Sequence, residues 1–231
     1  MREKPQQHLL LNYNKVMKLK ICGMKYPKNI AEVSELLPDY LGFIFWEKSS
    51  RFFDGAIPVI PETIAKVGVF VDADVEEIIS KTGKYNLQLL QLHGKETPGF
   101  CQALKETIQE HNYNIQIIKA FPVDDTFNFS QLEAYEATCD YFLFDTKGKL
   151  PGGNGIIFNW NVLEKYKHTK PYFLSGGIGI DAIEKIQTFQ KTTASTYCIA
   201  IDVNSSFETA PGQKDTLQLQ KFKKLLYENQ L

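Results

Sequence analysis

K-L-K-I-C-G-M, residues 18 to 24, reads as the first buried strand of an α/β protein with a cysteine at its carboxyl end. Side chains alternate along a strand, so Lys20 and Cys22 face the same way, and Gly23 lets the backbone turn tightly after them. If this strand lines a closed sheet, Lys20 is an interior ammonium and must be met by a carboxylate or other polar groups. Its charge would lower the pKa of the Cys22 thiol and improve it as a base. The plainer alternatives are a small buried hydrophobe at Cys22 and a purely structural ion pair at Lys20.

Outward from this strand, short apolar runs alternate with helical periods, the pattern of repeated β-α units and a parallel sheet. Eight strands are expected, at 18–22, 40–46, 66–71, 87–92, 116–120, 141–145, 172–175 and 198–202. Pro27 opens a helix with Ile30, Val33, Leu36 and Leu37 on one face. Asp74 to Glu77 is a capping-box variant, and Thr97-Pro98 starts a third helix. Further helices are expected around Leu132, Leu163, Ile183 with Ile186, and Phe222 with Leu225. Pro58 and Pro61 leave the second crossover little more than a turn. Eight such units favour a single (β/α)₈ barrel over an open doubly wound sheet. Residues 17–231 would form the barrel and residues 1–16, polar and aperiodic, a short N-terminal extension, with Met17 a possible internal start.

Composition narrows the partners. With 26 basic and 27 acidic residues and a net charge of -1, the chain has no electrostatic footprint for nucleic acid or an anionic membrane. A small ligand is expected instead. The four cysteines, at 22, 101, 139 and 198, are widely spaced, which points to neither a zinc site nor a disulfide framework and fits a reducing cytoplasm. No stretch resembles a signal peptide or a membrane span.

In a barrel of this kind chemistry gathers at the carboxyl ends of the strands. Cys22, Arg51, Gln91, His93, Asp145, Gly176, Gly177, Asp202, Asn204 and Ser205 all fall there. The turn from Gly176 to Gly179 offers backbone N–H groups at a helix N-terminus, a phosphate cradle, beside Asn204 and Ser205. Asp145 closes an apolar run, as a rim residue bonded to backbone or as a general acid. The loop after it, with Gly148, Gly152, Gly153 and Gly155, could act as a lid or be a plain connection. Arg51 has a planar fork suited to a ligand carboxylate, or is a solvated charge. His93 is either a turn residue or a proton carrier.

Together K-I-C-G-M at 20–24, S-S-R at 49–51, V-G-V-F-V at 67–71, Q-L-H-G at 91–94, G-G-N-G at 152–155, G-G-I-G at 176–179 and D-V-N-S-S-F-E-T-A-P-G-Q-K-D at 202–215 resemble the phosphoribosylanthranilate isomerase family of tryptophan biosynthesis. That resemblance implies an Amadori rearrangement of a phosphosugar without cofactor or metal, in a monomer or homodimer. By position it makes Cys22 the general base and Asp145 the general acid. Arg51 would meet the anthranilate carboxylate, and Gly176, Gly177, Asn204 and Ser205 the phosphate. Asp202 would face the sugar, with Gln91, His93, Gly152 and Gly153 lining the pocket. Ser50, Asn154 and Ser206 depart from the family's usual residues. A histidine-pathway sugar isomerase would be expected to carry aspartate in place of Cys22, and a non-catalytic phosphosugar-binding barrel would not need both Cys22 and Asp145.

Overall fold

The structure, a computed structural model, describes residues 16–146 and 158–228. Eight parallel strands close into a barrel in sequence order: β1 (Lys18–Ile21), β2 (Tyr40–Ile44), β3 (Ala65–Phe70), β4 (Leu89–Leu92), β5 (Gln116–Val123), β6 (Tyr141–Thr146), β7 (Tyr172–Leu174) and β8 (Cys198–Val203). β8 returns to β1 with Lys20 opposite Asp202 and Ile21 opposite Val203, so the first strand carries the closing seam. The expected (β/α)₈ barrel is therefore the observed one. The extension at 1–16 lies almost wholly outside the described residues.

Five α-helices pack outside: α1 (Pro27–Ser34), α2 (Val75–Tyr85), α3 (Pro98–Glu110), α4 (Ile183–Gln190) and α5 (Thr216–Glu228). The caps read in the sequence form, with Asp74 accepting from the Glu77 N–H and Thr97 from the Phe100 N–H. The expected helices around Leu132 and Leu163 do not form as α-helices. Residues Phe129–Tyr135 and Trp160–Lys165 are 3₁₀ turns instead. Their apolar residues explain the difference: Phe129, Leu132 and Tyr135, and likewise Trp160, Leu163 and Tyr166, recur every third residue. That is the 3₁₀ period rather than 3.6, and it stacks the three side chains along one edge against the sheet.

The second crossover, residues 45–64, has no helix at all. Its place on the sheet is filled by Phe53, 1% exposed, whose N–H bonds Ile44 O at 2.8 Å and whose ring lies 5.0 Å from Phe43 and 5.5 Å from Tyr85. An aromatic plug thus substitutes for a helix face.

Inside the barrel the alternation of strand side chains builds the site. Tyr40, Val67, Leu89, Ile118, Leu143, Phe173 and Ala200 form an apolar interior cluster. Two residues further along the same strands, the inward positions become Gln91, Asp145, Ser175 and Asp202, which line a pocket. On β4, β6, β7 and β8 the change from core to chemistry is thus a single step along the strand.

Because Phe53 stands in for a missing helix, Phe53→Ala is expected to destabilise the barrel by about 3–5 kcal/mol. The shift of the urea midpoint, converted with an unchanged m-value, measures it.

Candidate active site

At the carboxyl end of the barrel one pocket is lined by Cys22, Arg51, Gln91, His93, Asp145, Gly176, Gly177, Asp202, Asn204 and Ser205, together with the apolar Ile44, Trp46, Val69 and Val71. Each described residue singled out in the sequence is therefore brought to the same place. Gly152 and Gly153, and with them the proposed lid, lie outside the described residues, as does Asn154.

Cys22 follows directly on β1 and is 4% exposed. Beneath it the Lys20 ammonium, with no exposed surface, lies 3.0 Å from Asp202 Oδ1. The interior cation is thus paired with a carboxylate as its position required. Burial alone would lower the Lys20 pKa, but Asp202 and the Cys22 thiol outweigh it and hold the ammonium above its ordinary value. For Cys22 the balance differs from the sequence expectation. Burial pushes the thiol up, and although Lys20 and Lys214 pull it down, the net direction is upward. The two cations lower the thiol's pKa by less than burial and the Asp202 carboxylate raise it.

Across the barrel, Asp145 near the end of β6 accepts the Thr146 N–H through Oδ1 at 2.9 Å, and its Oδ2 lies 3.4 Å from His93 Nε2. His93 Nδ1 lies in turn 2.9 Å from Gln91 Nε2. With the amide so oriented, Gln91 donates to Nδ1, which leaves the imidazole proton on Nε2, facing Asp145. Gln91 Oε1 is buried and has no hydrogen-bond partner among the described residues. His93 is therefore more than a turn residue: it contacts the carboxylate directly.

The loops after β7 and β8 meet at the rim. Gly176 and Gly177 have φ of 97° and 65°, left-handed values that favour glycine, and their N–H groups find no acceptor among the described residues. A Cβ built on Gly179 would lie 3.3 Å from Ser206 Cβ, so the two loops share one wall. The glycine turn does not open an α-helix directly, because a 3₁₀ turn (Ile180–Ala182) precedes α4.

Arg51 is not a free fork. Its Nε reaches both Glu208 oxygens, at 2.9 and 3.0 Å, and its Nη2 reaches Oε2 at 2.7 Å. Glu208 also receives Lys214 Nζ at 2.7 Å, and Lys214 Nζ bonds Asn204 Oδ1 at 2.7 Å. Burial works against the charge of Glu208, yet Arg51 and Lys214 outweigh it and hold the carboxyl below its usual range. Both Glu208 and Lys214 stand in the quoted 202–215 motif, but the sequence reading assigned them no role. They belong to β9 (Glu208–Ala210) and β10 (Gln213–Lys214), a hairpin in the loop after β8. A-P-G at 210–212 was the available turn signal.

A (β/α)₈ barrel that brings a thiol, a carboxyl, a glycine turn and an arginine into one pocket at the carboxyl ends of its strands has the build of a barrel enzyme. Known proteins agree. The model of N-(5'-phosphoribosyl)anthranilate isomerases matches residues 19–224. The enzyme of that name from Parabacteroides distasonis is 41% identical over 212 residues, covering 89% of this chain and 91% of its own. The Thermus thermophilus phosphoribosylanthranilate isomerase structure superposes with a TM-score of 0.75 at 24% identity, covering 92% and 99% of the two chains. A phosphoribosylanthranilate isomerase in complex with the reduced 1-(o-carboxyphenylamino)-1-deoxyribulose 5-phosphate superposes at 0.71 with 26% identity and the same coverage. The chain belongs to the phosphoribosylanthranilate isomerase family.

Because the thiol lies above its ordinary pKa, thiolate is scarce at neutral pH and grows as pH rises. In the free protein, Cys22 alkylation by iodoacetamide, taken as the difference from Cys22→Ser, is expected to keep accelerating above the usual thiol value near 8.5. A plateau below that value would mean the cations prevail over burial.

Proposed function

We propose that the pocket carries out the Amadori rearrangement of N-(5-phosphoribosyl)anthranilate to 1-(2-carboxyphenylamino)-1-deoxyribulose 5-phosphate with Cys22 as base and Asp145 as acid. The observation that carries this reading is the placement of those two groups on β1 and β6, three strands apart around the barrel, both facing one pocket. The reaction needs a proton delivered to one atom of the sugar and removed from another, which one group could not do from a single side.

Asp145 gives its proton to the furanose ring oxygen as the bond from that oxygen to carbon 1 breaks, leaving a protonated imine. The Cys22 thiolate takes the proton from carbon 2. That bond pair forms the carbon 1–carbon 2 double bond, and the imine electrons return to nitrogen, giving an enolamine. Tautomerisation puts the Cys22 proton on carbon 1 and returns the carbon-2 hydroxyl proton to Asp145, which restores both groups.

Binding follows from the two ends of the substrate. The cradle of Gly176, Gly177, Asn204 and Ser205 suits the phosphate. Arg51 suits the carboxylate, and because it follows β2, the aromatic ring of the anthranilate would lie on Ile44, Trp46, Val69 and Val71 from β2, β3 and their loops. Asp202, already held by Lys20, faces the sugar between them. The buried thiols of Cys22, Cys101 and Cys139 support a cytoplasmic setting. No helix of the described residues is long and apolar enough to cross a membrane. A monomer or homodimer is the expected assembly.

Acid and base should fail differently. Cys22→Ser and Asp145→Asn are each expected to lower turnover by about 10² or more while substrate still binds. Only Cys22→Ser can open the ring, so borohydride trapping should capture a reduced imine with it and none with Asp145→Asn. Near-normal turnover in either variant would remove that residue from its role. Arg51→Ala is expected to raise KM with kcat nearly unchanged, because it removes binding common to substrate and transition state. An unchanged KM would take Arg51 out of the site.

A further inference from the structure

We propose that Glu208 and Lys214, carried by the β9–β10 hairpin, are positioning residues that hold the two binding ends of the site in one geometry. Glu208 orients Arg51, and Lys214 ties Glu208 to Asn204. The inference rests on the reading of Arg51 as the carboxylate ligand and of the loop around Asn204 as part of the phosphate cradle.

The hydrogen bonds run without a gap from one end to the other. Glu208, its side chain 4% exposed, takes the Nε and Nη2 edge of Arg51, so the guanidinium is fixed in plane. Only the end bearing Nη1 is left to meet an incoming carboxylate. Lys214 Nζ, with no exposed surface, bonds Glu208 Oε1, Asn204 Oδ1 and, at 3.2 Å, Asn204 O. It therefore grips both the side chain and the backbone of Asn204. The hairpin that carries the pair is anchored below. Lys214 N–H donates to Asn29 Oδ1 at 2.7 Å and Lys214 O accepts from Asn29 Nδ2 at 3.0 Å, so a buried residue of α1 holds β10 in register.

Both ends also crowd one glycine. Gly23 has a φ of 73°, and a Cβ there would lie 2.6 Å from Asn204 Oδ1 and 2.8 Å from Arg51 Cδ. Arg51 and Asn204 therefore both close over the residue that follows Cys22. A buried run of arginine, glutamate and lysine is in general no more stable than an apolar plug of the same volume. What it provides here is orientation: a charge-assisted bond at each joint and no rotational freedom for either ligand-binding group.

The pair acts through other residues, so its signature is coupling. The probes are anthranilate and inorganic phosphate, each as a competitive inhibitor of the isomerase, with KM, kcat and thermal midpoint read alongside. Glu208→Gln keeps the shape and an acceptor oxygen and is expected to fold. It should raise the inhibition constant of anthranilate about tenfold, the scale of one charge-assisted bond, and that of phosphate by a smaller factor. KM should rise with kcat nearly unchanged. Arg51→Ala should raise the anthranilate constant and leave phosphate alone. In the Arg51→Ala background, Glu208→Gln should have no further effect on anthranilate, because the group it positions is gone. Lys214→Met, if folded, should weaken phosphate more than Glu208→Gln does. Equal effects of Glu208→Gln with and without Arg51 would overturn the positioning role, as would a lowered thermal midpoint with both inhibition constants unchanged. An anthranilate constant indifferent to Arg51→Ala would instead overturn the reading of Arg51 itself, and the carboxylate half of this proposal with it.

Discussion

The pair between Lys20 and Asp202 is the constraint around which the barrel is arranged. It spans the seam where β8 meets β1, with the two residues directly opposite in register, so barrel closure and charge pairing are one event. A fully buried ammonium left unpaired would be strongly destabilising. A slip of one residue between β1 and β8 would turn Asp202 out of the interior and strand that ammonium, so the pair specifies the register of the last strand. It also sits between the apolar cluster below and the pocket above, where it supplies a polar floor.

Above that floor, on the proposed assignment, the strands supply reacting groups and the loops supply binding groups. Cys22, Asp145, Gln91 and Asp202 lie on or directly beside paired strands, where the sheet holds them, while Arg51, Gly177 and Asn204 stand on loops that need outside support. The support differs in kind. The glycine turn is shaped by its own backbone, whereas Arg51 and Asn204 depend on charges brought in by the hairpin after β8. The barrel thins where the site does not need it. The second crossover is reduced to an aromatic plug, two others show only 3₁₀ turns among the described residues, and the sheet they cover remains buried.

Much of this was legible in the sequence, because strands and rim residues are properties of local pattern. Asp145 and Gln91 are placed on the rim because each stands at the end of an apolar run. The two 3₁₀ turns are legible too, in the spacing of Phe129, Leu132 and Tyr135 by three, which a single leucine in each segment does not reveal. Glu208 and Lys214 were not legible as a pair. They are six residues apart in a loop, and charges there are normally solvated. Only the register that sets Lys214 opposite Glu208, and the approach of Arg51 from another loop, bury them. The direction of the Cys22 shift was hidden for a related reason: proximity of Lys20 follows from strand alternation, but the depth of burial that outweighs it is a property of the closed barrel.

That upward shift bears on why a thiol can serve here. A base with a high pKa has a small ionised fraction, yet each thiolate is a stronger proton acceptor for a carbon acid than one whose pKa has been depressed. Lys20 below and Lys214 beside it limit the penalty of forming the anion in a dry site, since both act to lower the Cys22 pKa against burial. A phosphate and a carboxylate arriving with the substrate would act in the opposite direction and disfavour the thiolate further. Lys214, on the hairpin that orients the binding groups, is one of the two cations that lower the Cys22 pKa, and so it opposes at the base part of the effect that the bound substrate's anions would have.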